Sequence, residues 1–138
     1  MTAAELIAQA AKRLSDAGVP EPELDAKILF LEAFHMDQVH FLMNRMRPLT
    51  EEQRAQQETY EVMIDRRSAR VPLQQILGSQ EFMGLTFRVT PDVLIPRQDT
   101  ETLVEQVLQE QKDPDIRLLD LCTGSGCIAI SLAVMGGY

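Results

Sequence analysis

The hydrophobic pattern changes at Val71-Pro72, and this change constrains the fold more than any other feature of the sequence. From residue 1 to about residue 70, apolar residues recur at the spacing of amphipathic helices. The proline breaks this pattern, and β-type residues follow it. A chain of 138 residues has room for one ordinary domain or two small ones. The sequence therefore predicts a helical bundle followed by a second, mixed unit.

Four helices are predicted in the first part, and each has a recognisable first turn. The first backbone N–H groups of a helix have no partner within it. A capping side chain accepts their hydrogen bonds, and a proline in the first turn has no N–H group to satisfy. These signals are Thr2 with Glu5, Pro22, Asp37, and Thr50 with Gln53. The positions predicted to face the core are Leu6, Ile7, Ala10 and Leu14, then Leu24, Ile28, Leu29, Phe30, Leu31 and Phe34, and finally Tyr60, Met63 and Ile64.

Two further groups of side chains in this part have a structural and a functional interpretation. Methionine is flexible, so it fills irregular core space more often than it forms a docking patch. We predict the core role for Met36, Met43, Met46 and Met63. The dipole at a helix end favours cations, although such cations can also contact an acidic protein. We predict the dipole role for Arg66, Arg67 and Arg70.

The second part is predicted to contain a hairpin, a helix and one βα unit. The hairpin comprises Glu81 to Met83 and Thr86 to Val89 around Gly84-Leu85. A helix capped by Asp99 or Thr100 follows, with Leu103, Val104, Val107 and Leu108 on its inner face. Residues 116–121 are apolar enough for a buried strand, and they lead through a glycine turn into a helix from about Cys127 to Met135.

Charge and composition exclude several classes of function. Thirteen Lys and Arg against 21 Asp and Glu give a net charge of −8, which offers no general attraction to nucleic acid or anionic lipid. The N-terminus does not resemble a signal peptide, and no apolar run reaches the length of a membrane span. We therefore expect a cytoplasmic protein with reduced cysteines. His35 and His40 have no clustered partner ligands, so no metal site is predicted.

The glycine turn at residues 120–126, Asp-Leu-Cys-Thr-Gly-Ser-Gly, is the strongest local functional signal. Glycines allow a ligand to approach the backbone, and a helix N-terminus points free N–H groups at it. An ordinary tight βα turn is one alternative. A dinucleotide-binding fingerprint is another, but it fits only if Ala129 replaces its last glycine. An acidic residue that ends the strand, here Asp120, resembles motif I of S-adenosylmethionine-dependent methyltransferases.

Four ordered segments extend this resemblance to a family. They are Pro72-Leu-Gln-Gln-Ile-Leu-Gly78, Phe82-x-Gly-Leu-x-Phe-x-Val89, Val93-Leu-Ile-Pro-Arg-x-x-Thr-Glu101, and Leu118-Leu-Asp-Leu-Cys-Thr-Gly-Ser-Gly126. Together they resemble the HemK/PrmC family, the glutamine methyltransferases of peptide chain release factors. The resemblance covers the whole chain. One departure is Gln98, where the family commonly has proline.

The resemblance implies an α+β chain with three parts. These are a helical bundle at 1–70 that recognises the protein substrate, a hairpin-containing linker at 71–98, and at 99–138 the first βα unit of a truncated class I, Rossmann-like methyltransferase domain. The implied cofactor is S-adenosylmethionine. Its implied contacts are Asp120, Cys122, Thr123, Gly124, Ser125 and Gly126, with Pro96, Arg97, Thr100 and Glu101 as further candidates.

The family methylates the side-chain amide of the glutamine in the Gly-Gly-Gln motif of release factors. Its Asn-Pro-Pro-Tyr motif accepts the amide hydrogens, but the only asparagine here is Asn44, which precedes Arg45. The resemblance thus implies an N-terminal fragment of about half the family length, without catalytic residues and inactive alone. A ribosomal-protein glutamine methyltransferase and a non-catalytic interaction module remain alternatives, and a nicotinamide oxidoreductase is a weaker third.

Overall fold

The computed structural model describes all residues, Met1–Tyr138, as two compact units. The first unit is Met1–Leu77 and the second is Gly78–Tyr138. Seven α-helices, one 3₁₀ turn and a two-stranded antiparallel sheet make this a helix-rich α+β chain. None of its helices is both long and apolar enough to cross a lipid bilayer.

The first unit contains five helices, and the first-turn signals predicted for the first three are confirmed. Thr50 and Gln53 instead lie at a 3₁₀ turn before the fourth helix, which begins without a side-chain cap bond. The helices are α1 at Ala3–Asp16, α2 at Pro22–Ala33, α3 at Gln38–Asn44, α4 at Arg54–Ser68 and α5 at Leu73–Leu77, with a 3₁₀ turn at Glu51–Gln53 before α4. Thr2 and Glu5 exchange both hydrogen bonds of a capping box. Asp37 caps α3 by accepting the N–H of His40 at 2.7 Å.

The core of the first unit lies between α1, α2 and α4. Its fully buried side chains include Leu14, Ala26, Leu29, Phe30, Tyr60 and Ile64. The predicted faces of α1 and α4 are confirmed, but that of α2 is partly wrong, because Leu24 is 50% exposed. Leu29, Phe30 and Phe34 are buried as predicted, and the small residues Ala26 and Ala33 complete the buried face.

The predicted core role of the methionines is wrong for two of them. Met36 and Met63 are half-buried and pack against the core. Met43 and Met46 are each 71% exposed. Met43 lies on the outer side of α3, whose inner side is already occupied by Phe41, and Met46 lies in the exposed turn after this helix.

Two of the three arginines at the end of α4 hold the bundle together. Arg67 Nε donates to Asp25 Oδ2 at 2.8 Å, and its Nη1 donates to the carbonyl of Val71 at 3.1 Å. Arg70 Nη1 donates to the carbonyl of Gly18 at 2.5 Å, just beyond the end of α1. Arg66 and Arg67 lie in the last turn of α4, as the dipole role predicts, whereas Arg70 lies beyond the helix and acts through its contact with Gly18.

Tyr60 connects α4 to α2 and makes the first unit sensitive to alkaline pH. It is fully buried, and its hydroxyl donates to the carbonyl of Ala26 at 2.9 Å. Desolvation raises the pKa of Tyr60 well above its ordinary value of 10.0. In the unfolded chain the phenol ionises near its ordinary pKa, so above about pH 10 the unfolded state binds fewer protons than the folded state.

We expect the free energy of unfolding to fall above about pH 10, by at most about 1.4 kcal/mol per pH unit from this one residue. The measurement is urea unfolding followed by circular dichroism at a series of pH values in a Tyr138→Phe background, where Tyr60 is the only tyrosine that can ionise. Tyr60→Phe is the matched control. It loses about 1 kcal/mol at neutral pH and most of the alkaline slope. An unchanged slope in Tyr60→Phe would contradict this assignment.

The second unit contains a hairpin and two helices. Its elements are β1 at Ser79–Phe82, β2 at Leu85–Arg88, α6 at Gln98–Glu110 and α7 at Cys127–Gly136. Ser79 pairs with Arg88, and Phe82 pairs with Leu85. The hairpin turn is Met83-Gly84, one residue earlier than predicted, and both turn residues have positive φ, as two-residue hairpin turns commonly require. The core of the second unit comprises Phe82, Phe87, Val104, Cys127 and Leu132.

Three sequence predictions for this unit are wrong. Residues 116–121 do not form a strand, because the only strand ladder in the structure joins β1 to β2 and nothing pairs with this segment. Neither Asp99 nor Thr100 caps α6, because the helix begins earlier, with Arg97 at the N-cap position and no side-chain cap bond. Leu103, predicted to face inward, is 51% exposed, whereas Val104 is fully buried.

Candidate functional site

The glycine turn before α7 has an unusual backbone conformation. Cys122, Gly124 and Gly126 have φ values of +57°, +58° and +82°. The N–H of Gly126 donates to the carbonyl of Thr123 at 2.9 Å, which closes the turn. A side chain at Gly126 would place its Cβ 3.1 Å from Ile130 Cδ1, whereas a Cβ at Gly124 would meet nothing within 4 Å. Glycine at 124 is therefore favoured by the positive φ of the backbone and not by packing within the chain.

Polar groups of opposite character converge at this turn. The N–H groups of Cys127, Ile128 and Ala129 donate to no protein oxygen, and Gly126 supplies no side-chain cap. On the other side of the turn, Asp120 Oδ2 accepts a hydrogen bond from Thr123 Oγ1 at 2.9 Å, which leaves further lone pairs on the carboxylate free. The turn thus presents several free donors and one acidic group.

The turn is accessible to solvent. Cys122, Thr123 and Gly124 are exposed, whereas Asp120, Ser125 and Gly126 are half-buried. A separate hollow of about 230 Å³ lies in the same unit and is lined by Ile116, Leu118, Ala129, Leu132, Ala133 and Tyr138. The side chains that line this hollow are apolar apart from the tyrosine hydroxyl, and none of them belongs to the turn itself.

The second group of candidate residues lies at the start of α6. Pro96 is buried, Arg97 is exposed, and the N–H of Thr100 donates to the carbonyl of Arg97 at 3.0 Å. Glu101 is half-buried, and its Oε1 accepts the N–H of Met83 at 2.9 Å. Glu101 therefore ties the hairpin turn to the first turn of α6. Sequence reasoning missed this contact because 18 residues separate its partners and no local motif marks it.

The two groups of candidate residues lie at the same end of the second unit. The hydroxyl of Tyr138, just after α7, donates to the carbonyl of Gln111, just after α6. Since the C-terminal ends of the two helices are joined in this way and the helices pack through Val104 and Cys127, they run in the same direction. Their N-termini, with the Arg97–Glu101 segment and the glycine turn, therefore share the opposite end.

The arrangement can bind a small zwitterion. Free N–H groups at the N-terminus of α7 suit a carboxylate, because they are hydrogen-bond donors at the positive end of the helix dipole. The Asp120 carboxylate suits an ammonium group. Together these groups match the charges of an amino-acid moiety. No group of three or more His, Cys, Asp or Glu side chains could hold a metal ion.

Comparison with known families identifies the first part of the chain. The family model described as the PrmC N-terminal domain matches residues 5–78, which is more than half of the chain. This match covers α1 to α5, so it concerns the helical unit and not the glycine turn.

Curated relatives extend over both units. "Release factor glutamine methyltransferase" of Moorella thermoacetica is 44% identical over 135 residues, covering 96% of this chain and 46% of the relative. Proteins of the same name from Geobacter sulfurreducens and Koribacter versatilis are 43% and 40% identical, covering 87% and 96% of this chain and 41% and 47% of the relatives. The chain thus spans about half the length of the curated relatives it matches. On the match to the PrmC N-terminal domain, the chain belongs to the PrmC family.

Proposed function

We propose that the whole protein transfers a methyl group from S-adenosylmethionine to the side-chain amide of the glutamine in the Gly-Gly-Gln motif of peptide chain release factors. The observation that carries this proposal is 44% identity, over 96% of the chain, to a protein named for release factor glutamine methylation. The name also favours release factors over ribosomal proteins as substrates. Such an enzyme would work in the cytoplasm, where translation terminates.

The parts of the chain would divide this work as the resemblance implies. Residues 1–70 would recognise the protein substrate, and residues 99–138 would begin a class I, Rossmann-like methyltransferase domain. Residues 71–98 would connect these two parts. In that domain residues 116–121 would become a strand once a neighbouring strand supplies its hydrogen bonds. The exposed side chains of Leu119 and Leu121, 80% and 77% accessible, support this proposal, because a strand of a parallel sheet is normally covered on both faces.

The glycine turn is the proposed cofactor site. The free N–H groups that follow Gly126 would hold the carboxylate of the methionine moiety, and Asp120 would hold its ammonium group. Cys122, Thr123, Gly124 and Ser125 would form the wall of the site, where positive φ brings the backbone close to the ligand. Pro96, Arg97 and Thr100 would border it from α6, and Glu101 would hold the hairpin in position.

The bound cofactor supplies an electrophilic methyl group on a sulfonium sulfur. The acceptor, an amide nitrogen, is a poor nucleophile because its lone pair is conjugated with the carbonyl, so its hydrogens must be accepted and its nitrogen aligned. The sequence contains no Asn-Pro-Pro-Tyr motif to do this. We therefore assign no catalytic residue within these 138 residues and expect no methyl transfer from this chain alone.

The proposed site predicts a specific binding defect. We expect Asp120→Asn to weaken S-adenosylmethionine binding roughly tenfold or more in calorimetry, because a charge-assisted hydrogen bond contributes about 1.5–3 kcal/mol. The matched control is Asp115→Asn, which changes an exposed carboxylate in the same unit. Circular dichroism checks that both variants fold.

Two results would count against the proposal. Equal cofactor affinity for Asp120→Asn and Asp115→Asn would remove Asp120 from the site. Release-factor binding by the chain, with no heat from the cofactor at any concentration, would favour a protein-interaction module.

Clear methyl transfer to release factor from a radiolabelled donor would contradict the expectation that this chain is inactive alone.

A further inference from the structure

Helix α3 exposes a row of apolar side chains. Val39, Leu42, Met43 and Met46 are 63%, 52%, 71% and 71% exposed. Val39, Leu42 and Met43 lie in α3 at spacings of three and one residues, which places them on one side of the helix, and Met46 lies in the turn that follows. We call these four residues the α3 stripe. A contiguous apolar surface on an otherwise acidic chain marks a binding surface more often than scattered exposed residues do.

The stripe is held in a fixed position. Phe41, on the inner side of α3, is buried, and its ring lies 5.9 Å from that of Phe30. Asp37 caps the start of the helix, and the carbonyl of Arg45 accepts the N–H of Ala4 at 2.9 Å at its end. Because both ends and the inner face are anchored, the stripe cannot turn inward without breaking the core. Its exposure is therefore a consequence of the packing of α3.

The charges around the stripe differ in sign from the rest of the chain. Residues 38–50 contain Arg45, Arg47 and His40 but no aspartate or glutamate, in a chain with a net charge of −8. Neither Arg45 nor Arg47 forms an ion pair, because every ion pair of arginine in the structure involves Arg13, Arg54 or Arg67.

Few acidic groups compete for this positive charge. At the start of α3, the carboxylate of Asp37 is already hydrogen-bonded to the backbone and ring of His40, and the backbone hydrogen bond lowers the pKa of Asp37. Across a neighbouring hollow, Glu52 is the one acidic residue in its lining. The lining of the hollow therefore holds two arginines without an ion pair, Arg45 and Arg47, and one carboxylate, Glu52, so its net charge is positive.

This hollow borders α3 and has a volume of about 380 Å³. Phe41, Met36 and Leu49 contribute its apolar lining, and Arg45 and Arg47 contribute its charge. A ligand that covers this region must therefore offer apolar side chains and carboxylates together. An acidic amphipathic segment of a protein has both, since one face supplies the apolar residues and its edges supply the carboxylates.

We propose that the α3 stripe, with Arg45 and Arg47, is the surface on which the helical unit binds an acidic amphipathic segment of the protein substrate. This inference rests on the proposed function, in which the substrate is a release factor. A single glutamine side chain covers little surface, whereas a specific protein complex covers about 800 Å² on each partner. A macromolecular substrate thus needs contacts outside the methyl-transfer site. The methionines suit this role because their flexible side chains adapt to an irregular partner surface.

The test measures the affinity of the 138-residue chain for purified release factor of Moorella thermoacetica by fluorescence anisotropy. The variants are Met43→Glu, Met46→Glu and Arg45→Glu. The matched controls are Val62→Glu, which charges an exposed apolar residue of α4, and Arg66→Glu, which reverses an exposed arginine without an ion pair. Circular dichroism of every variant checks folding, which we expect to be intact because Met43 and Met46 contribute little to the core.

We expect Met43→Glu, Met46→Glu and Arg45→Glu each to weaken binding about tenfold or more, as substitutions of hot-spot residues at interfaces do. Both controls should stay within about twofold of the unmodified chain. Raising the salt concentration should weaken binding of the unmodified chain and have less effect on Arg45→Glu, because screening acts on the arginine contacts.

Three results would overturn the proposal. These are no binding of release factor by the unmodified chain, equal affinities for Met43→Glu and Val62→Glu, and self-association of the chain that Met43→Glu abolishes, which would make the stripe a contact between two copies. The proposed function is tested separately by cofactor binding. If release factor binds equally well to the stripe variants, the docking surface is wrong and the proposed function still stands. If binding depends on the stripe but S-adenosylmethionine gives no heat, the docking surface stands and the proposed cofactor site is wrong.

Discussion

Replacing Arg67 with methionine lowers the free energy of unfolding of the helical unit by about 3–5 kcal/mol. The Asp25 side chain is only 9% exposed, and the Arg67 side chain only 13%. Without the guanidinium, the Asp25 carboxylate stays buried with its charge unpaired, and the carbonyl of Val71 loses a donor. The loss is large because desolvation of a charge is then no longer offset by an opposite charge.

Two variants show whether the pair itself or the orphaned charge causes the loss. Replacing both partners, Asp25→Leu with Arg67→Met, should restore most of the stability, because no buried charge remains. Arg13→Met removes exposed ion pairs with Glu61 and Asp65, whose side chains are 45% and 67% exposed, and should cost less than about 1 kcal/mol. Urea unfolding followed by Tyr60 fluorescence in the Tyr138→Phe background measures all of them. A loss below about 1 kcal/mol for Arg67→Met would show that water already reaches Asp25.

Helix starts were predictable because their causes are local. Thr2 and Glu5 satisfy each other three residues apart, and Asp37 reaches the N–H of His40 at the same spacing. These bonds need nothing from the rest of the fold. The start of α6 was not predictable in this way. Its N-cap residue, Arg97, makes no side-chain cap bond, so the sequence contains no capping motif at that position.

Faces of helices were less predictable because neighbouring elements decide them. Large apolar residues suggested Leu24 for the core of α2, but the structure buries Ala26 and Ala33, whose small side chains allow close packing. Met43 and Met46 have the spacing of core residues and face solvent, since Phe41 already fills the inner side of α3. Hydrophobic spacing identifies an apolar face but not which of two faces the core takes.

In the candidate site too, features with a local cause were predictable and features that depend on tertiary contacts were not. Positive φ at Gly124 and Gly126 follows from the glycine motif, because glycine tolerates that conformation. The strand at 116–121 failed because a strand requires a partner in space, and the sequence of one segment cannot supply it. The bond from Met83 to Glu101 also depends on tertiary placement, and it gives Glu101 a role that the motif did not indicate.

Phe30 is the second site where a single change has a large expected effect. Its fully buried ring stacks on Phe34 at 4.2 Å between centroids and meets Tyr60 edge to face at 5.5 Å. We expect Phe30→Ala to lower the free energy of unfolding by about 3–5 kcal/mol, because it removes the buried ring and leaves a cavity between α2 and α4. Urea unfolding followed by Tyr60 fluorescence measures the change.

A graded series separates the cavity from a general loss of the helix. Phe30→Leu keeps most of the buried volume and should cost clearly less than Phe30→Ala, while alanine itself favours the helix and adds no penalty there. Leu24→Ala changes an exposed residue of the same helix and should stay within about 0.5 kcal/mol. Equal losses for Phe30→Ala and Leu24→Ala would mean that the buried face of α2 is not centred on Phe30. The inner side of α3 would then be free to accept other residues, and the outward position of the α3 stripe would lose its structural cause.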